Sequence, residues 1–368
     1  MNRTSRIITG VVVLALVAIT QRQRPEKVAP QGRQCLGGRL GAQGRQMAYE
    51  QGLEVDLDRD CILEPIVDRK AAAAPGPSRA AEPVSTGQTL AVARRGLITA
   101  VRAVDGTYLL PSPPANLFVP IPLTSNRGAA LPAFVTPDPR DGRRHPAIVW
   151  IKGGNSSALD DFWTAGPESD DENVTAFRKS GVVVMFPSLR GGHAGTGGRE
   201  YFLGEVDDVL AAAEQLARLP YVDADRIYLG GHSTGGTLAL LVAEASERFR
   251  GVFAFGPVAR VDRYPTPMVP AELAGLPEAE RRLRSPIHWL HGITTPTYVI
   301  EGRASSNIGD AEEMCAASPR VTCLLVEGAD HFSVLSRVAR VVAARMSIGQ
   351  DVERGLRAED FPAGAGRL

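Results

Sequence analysis

The sequence predicts an α/β fold: a mostly parallel, doubly wound sheet with helices on both faces. Three observations carry that expectation. From Asn116 onward, short apolar runs alternate with stretches of helical periodicity, the pattern of repeated strand–helix units. Several of those runs, such as Ala147–Ile151, are apolar without alternation, as strands buried on both faces are. The third is the stretch Gly231-His232-Ser233-Thr234-Gly235. It has the spacing G-x-S-x-G between an apolar run, Ile227–Leu229, and an Ala/Leu-rich run, Thr237–Ala245.

That strand–turn–helix setting gives the motif its chemical reading. A turn this sharp holds Ser233 in a strained backbone conformation, and side chains two residues to either side would collide with neighbouring backbone. Ser233 Oγ is then lifted above the sheet, at the start of a helix whose free N–H groups suit an oxyanion. The plain alternative is a Gly/Ser turn in which Ser233 only caps the helix.

The remaining elements follow in order. Leu117–Leu123 reads as a strand interrupted by prolines, hence an edge strand. Leu131–Val135 is a second strand, and Ala147–Ile151 a third that runs into Lys152-Gly153-Gly154-Asn155, a place for oxyanion donors. Helical patterns are expected over Val174–Ser180 and Glu205–Leu219, with a buried strand, Gly181–Phe186, between them. The Gly-rich stretch 191–198 does not open into a helix, and no acidic residue closes a following strand, which excludes a dinucleotide fingerprint. Pro220–Asp225 reads as a loop before the Ser233 strand. Strands are expected at Gly251–Gly256, Thr297–Gly302 and Thr322–Val326, and helices near Pro277–Leu283, at Asp310–Ala317 and at Val334–Met346. His331 lies in the loop after the last strand, where such a loop can reach Ser233.

Composition narrows the function classes. The 368 residues carry 41 basic and 41 acidic side chains, so neither a nucleic-acid partner nor an anionic surface is indicated. No cofactor and no metal site is expected: Asp56, Asp58 and Asp60 alternate without the Gly and terminal Glu of a calcium loop. Arg3 and Arg6 precede an apolar run, Ile7–Ile19, of signal-peptide length. Residues 1–26 are therefore expected to be a signal peptide, with export to a periplasmic or extracellular space. An uncleaved anchor is the alternative, and it alone would bring membrane contact. Residues 27–115 form a low-pattern, Cys-containing segment and linker, 116–346 the catalytic domain and 347–368 a tail. Proximity favours the pairs Cys35–Cys61 and Cys315–Cys323, with buried free thiols as the alternative.

Taken together, the Gly-Gly loop at 153–154, the Arg190-Gly-Gly loop, Gly204-Glu-Val-Asp-Asp-Val, Gly-His-Ser-Thr-Gly-Gly and Asp330-His-Phe resemble the catalytic domain of prolyl oligopeptidase-type serine hydrolases. The resemblance covers about residues 116–346. It implies an α/β-hydrolase fold, Ser233 as nucleophile and His331 as base. Three departures stand out. The family's acid loop reads Gly302-Arg-Ala-Ser305 here, so Ser305 occupies the acid's place; Glu301, Asp310 and Asp262 are the candidate acids, with Glu301 favoured. Lys152 stands where the family places a Tyr; its ammonium could donate to the oxyanion, but it is expected to point to solvent or to pair with Asp160 or Asp161, so the expected oxyanion donors are the backbone N–H groups of Gly154 or Asn155 with Thr234. The third departure is the lack of room for the family's β-propeller ahead of residue 116, which implies an open site. The expected function is a serine peptidase acting on small peptides or esters. The alternatives are a carboxylesterase with the same mechanism and a non-catalytic binding protein that lost the triad.

Overall fold

The computed structural model describes residues 87–99, 101 and 110–361, apart from 126–127, 155–158, 168, 193–197, 265–272, 274 and 354. It also describes the backbone of three short strands in a separate unit spanning residues 1–74. These are β1 (Cys35–Leu36), β2 (Val55–Asp56) and β3 (Cys61–Leu63), an antiparallel ribbon in the order β1-β3-β2. The expected signal segment, the pairing of Cys35 and the Cys61 side chain lie outside the described residues.

The larger unit is organised by an eight-stranded sheet. Its strands are β4 (Val119–Thr124), β5 (Ala130–Val135), β6 (His145–Ile151), β7 (Val183–Pro187), β8 (Val222–His232), β9 (Val252–Phe255), β10 (Thr297–Gly302) and β11 (Val321–Val326). The order across the sheet is β11-β10-β9-β8-β6-β7-β5-β4. β4–β5 and β5–β7 are antiparallel and every other pair is parallel. The proline-bearing strand, β4, is an edge, where a missing N–H costs no ladder bond. The central strands carry apolar residues on both faces because both faces are covered. One face holds Val149, Leu229 and Val299 with the helices around Leu216 and Leu240. The other holds Trp150, Phe255 and Ile300 with the C-terminal helix around Leu335 and Val342.

The helices are α1 (Leu90–Ala93), α2 (Thr175–Lys179), α3 (Glu205–Ala217), α4 (Thr234–Ala245), α5 (Glu278–Arg282), α6 (Ile308–Ala317) and α7 (Ser333–Ser347). Cys315 of α6 and Cys323 of β11 form a disulfide with a Cα separation of 6.1 Å.

Four expected boundaries need correction. Val222–Asp225 belongs to β8 rather than to a loop. His145 pairs with Val222 ahead of a register shift, so the ladder begins before the apolar run that marks the strand in sequence. Asp310 does not cap its helix, which begins two residues earlier at Ile308. The unit extends ahead of residue 116, since Leu90 and Leu97 are buried in the main core. The described part of the expected tail is not outside the domain either: Val352, Leu356 and Phe361 are buried against the second face, and residues 362–368 lie outside the described residues. Single apolar residues in loops or in a one-turn helix show no periodicity, so sequence patterning does not register them.

Candidate active site

The carboxyl ends of the parallel strands β6, β8, β9 and β10 lie side by side, the position at which open α/β sheets hold ligands. Ser233 follows β8 with φ 56° and ψ −118°, a conformation that L residues adopt only when held there. Its amide donates to the Phe255 carbonyl at 2.8 Å, and its carbonyl accepts from Thr237 N at 3.0 Å. It makes no side-chain capping bond to α4, so the simple capping alternative is not what the geometry presents. The flanking glycines are obligatory. A Cβ on Gly231 would lie 2.3 Å from the Gly235 carbonyl oxygen, and one on Gly235 2.2 Å from the Ile151 oxygen.

The expected base and the favoured acid meet. Glu301 is fully buried near the end of β10, where it pairs with Leu325 of β11. Its Oε1 accepts from Gly302 N at 2.8 Å, and its Oε2 accepts from His331 Nδ1 at 3.1 Å. An acceptor on Nδ1 fixes the tautomer that leaves Nε2 available as a base. The other candidate acids are elsewhere. Asp310 accepts from Ala259 N at 2.7 Å and pairs with Arg263 at 2.7 Å. Asp262 is exposed in a short 3₁₀ turn. Ser305 serves its own loop by accepting from Asn307 N at 3.0 Å.

On the oxyanion side, the Gly153-Gly154 loop packs against the elbow; a Cβ on Gly153 would stand 3.1 Å from Ser233 Cβ. Thr234 Oγ1 donates to the Gly154 carbonyl at 2.7 Å, tying the loop to the first residue of α4. Residues at a helix start have N–H groups without intrahelical partners. Asn155 lies outside the described residues. Lys152 does pair with Asp160, and it also donates to Asn173 Oδ1 at 3.2 Å. Beside Thr234 a small pocket opens between Ile151, Leu189, Phe202 and Leu238, with Glu205 in its wall.

A second His–carboxylate contact went unread in the sequence. His232 Nδ1 lies 3.2 Å from Glu172 Oε1, and its Nε2 lies 3.0 Å from the His331 carbonyl oxygen. Glu172 belongs to the acidic run Asp170-Asp171-Glu172, which reads as solvated surface, and nothing in the spacing links it to a residue sixty positions on. Burial works against its carboxylate, but the hydrogen bond with His232 and the charges of His232, Lys152 and His331 outweigh it and hold the group at about 2. Asp170, beside it, is pushed up to about 7 by burial and by the Glu172 charge. Burial, followed by the His331 charge, moves His232 below the usual histidine range.

Further out, Arg190 clamps the loop after β7 to α3. It pairs with Asp208 at 2.7 Å and with Glu200 at 3.0 Å, all three side chains being at most 7% exposed. Among the described residues, no group of three or more His, Cys, Asp or Glu could hold a metal ion.

Comparison with known proteins finds likenesses over part of the chain. Residues 168–313 match the prolyl oligopeptidase family, a stretch that contains Ser233 and Glu301 and ends before His331. Dipeptidyl-peptidase 5 of Porphyromonas gingivalis is 29% identical over 140 residues, which are 36% of this chain and 20% of that protein. The uncharacterised peptidase YtmA of Bacillus subtilis is 26% identical over 145 residues, 37% of this chain and 56% of that one. A puromycin hydrolase crystal structure superposes with a TM-score of 0.53 at 19% identity, covering 67% of this chain and 42% of that one, a likeness of fold. The chain thus spans about a fifth of the first relative and just over half of the second. Residues 168–313 of this chain are thus similar to the prolyl oligopeptidase family, and its sheet shares the fold of the puromycin hydrolase.

Proposed function

We propose that the chain is a serine hydrolase that cleaves small peptides or esters through an acyl-enzyme on Ser233. The observation that carries the reading is the 3.1 Å contact between His331 Nδ1 and the buried Glu301, beside a serine held at positive φ. In this mechanism His331 takes the Ser233 proton as Oγ attacks the carbonyl carbon. The backbone N–H groups of Thr234 and of the Gly154–Asn155 loop stabilise the oxyanion. His331 then returns the proton to the leaving group, and water repeats the cycle on the ester. The relatives' names favour peptide bonds. The carboxylate within reach of His331 counts against a non-catalytic binding protein, whose motive was the missing acid at Ser305.

Export is part of the same proposal. Its supports are the charged and apolar N-terminal segment and the Cys315–Cys323 disulfide, a bond that persists in oxidising compartments. An uncleaved segment would anchor the domain at a membrane. Among the described residues, no helix is long and apolar enough to cross one.

The test is labelling of the full chain with a fluorophosphonate probe beside Ser233→Ala and Glu301→Gln. The expected outcome is labelling of the unmutated protein, none in Ser233→Ala, and a rate lowered on the order of 10³- to 10⁴-fold in Glu301→Gln. A folded, unlabelled parent protein overturns the hydrolase reading. Normal labelling of Glu301→Gln removes Glu301 from the mechanism.

A further inference from the structure

His232 has no step in the reaction above, yet its ring is 1% exposed and both of its nitrogens meet oxygen. Its centroid lies 4.5 Å from that of His331, and Phe332 closes another edge at 5.2 Å. A carbonyl oxygen only accepts, so the 3.0 Å contact with His331 requires a proton on Nε2. Glu172 Oε1 faces the other ring nitrogen at the longer distance of 3.2 Å. The Nε2 contact is the shorter of the two, 3.0 Å against 3.2 Å, and the proton of a neutral ring is placed there, toward the carbonyl.

We propose that His232 is a positioning residue: its Nε2–H donates to the His331 carbonyl and fixes the main chain that carries the proposed base. The inference rests on the hydrolase reading, in which His331 must face Ser233 and Glu301 together. His331 needs such support because of where it sits. It lies between the end of β11 at Val326 and the start of α7 at Ser333, outside the sheet ladder that pins both Glu301 and the strand leading to Ser233. A catalytic group on a loop must still be held to within about half an ångström. One hydrogen bond from the neighbour of Ser233 to the backbone of His331 couples the two loops directly.

The test combines two measurements on the full chain. The first is ¹⁵N NMR of histidine-labelled protein, which reports the tautomer of His232 without requiring turnover. The second is kcat and KM on a p-nitrophenyl ester, with fluorophosphonate labelling, for His232→Phe and His232→Gln. Phe keeps a ring and removes both nitrogens. Gln places an amide N–H as many bonds from the backbone as Nε2. We expect Nε2 to be the protonated nitrogen of the neutral ring, with Nδ1 gaining its proton only as pH falls. We expect kcat to drop about 10- to 100-fold in His232→Phe with KM changed less than about twofold, the scale of a misplaced catalytic group. His232→Gln should recover most of that loss. A neutral His232 protonated on Nδ1 and bare on Nε2 overturns the proposal, as does an unchanged kcat in folded His232→Phe. Should the Phe variant not fold, the parent tautomer and the Gln variant decide. A parent chain that neither turns over nor labels sinks the hydrolase reading, while the tautomer still reports on the bond.

Discussion

Gly256, at the end of β9, offers a sharp test of whether the His331–Glu301 pair is placed by packing. Its φ is +58°, and a Cβ there would lie 2.2 Å from His331 Cε1, 2.6 Å from His331 Nδ1 and 3.3 Å from Glu301 Oε2. An ordinary carbon–carbon contact needs about 3.5 Å, so in Gly256→Ala the imidazole must retreat by about 1.3 Å. Retreat along that line stretches the 3.1 Å bond to Glu301 and moves the ring from its place beside the elbow. Misplacement of this size costs on the order of 10²-fold in rate. The left-handed backbone adds about 1–2 kcal/mol for any residue with a Cβ. The assay is the fluorophosphonate labelling rate, read beside thermal melting. Gly309→Ala is the control: that glycine lies in α6, and a Cβ on it has nothing within 4 Å. It should label at the parent rate and gain about 0.5–1 kcal/mol of stability from its helical position. Parent-rate labelling by a folded Gly256→Ala would refute the reasoning.

Two stability predictions complete the set. Glu244 is buried in α4, and neither carboxylate oxygen has a hydrogen-bond partner among the described residues. Burial raises it well above its ordinary 4.5, so the folded state favours the protonated acid. That stability is fully present below about 4.5 and lost as pH rises through the folded value, with a slope of up to about 1.4 kcal/mol per pH unit. Glu244→Gln should remove the slope and melt higher than the parent at alkaline pH; an unchanged pH–stability curve in urea titrations would refute this. Arg190→Met leaves Asp208 and Glu200 buried without their cation, at a cost of about 3–5 kcal/mol and roughly 10 °C in melting temperature. A melting temperature within a degree or two of the parent would mean that the two acids find other partners.

The parts legible in the sequence are those whose cause is local. Continuous apolar runs mark β6, β7, β9 and β10 because both faces of the sheet are covered, and the elbow announces itself because only glycine fits at 231 and 235. Glu301 was one of three candidate acids, and what distinguishes it is partly visible: it is a charged residue at the end of an otherwise apolar strand. The Glu172–His232 contact was not visible, since it joins a loop before α2 to the end of β8 and neither residue has an unusual local pattern. Leu97 and Phe361 were missed for the same reason: single apolar side chains from irregular segments dock onto a surface that other elements create.

Glu301 sits on a strand rather than in the turn that follows, so its alignment comes from the sheet. Its backbone is stitched into β11, and the strand it stands on is flanked by β9 on the other side. A carboxylate so placed keeps its alignment as long as the sheet exists. The turn at 303–307 closes on itself through Ser305, reaches Gly256 through Asn307, and donates from Arg303 N and Ala304 N to the Val326 and Ala329 carbonyls at 3.0 and 2.9 Å. Exposed side chains of that turn, such as Arg303, are where the rim of the site can change while the sheet keeps Glu301 in place, whereas its main chain at Ala304 also holds the loop that carries His331.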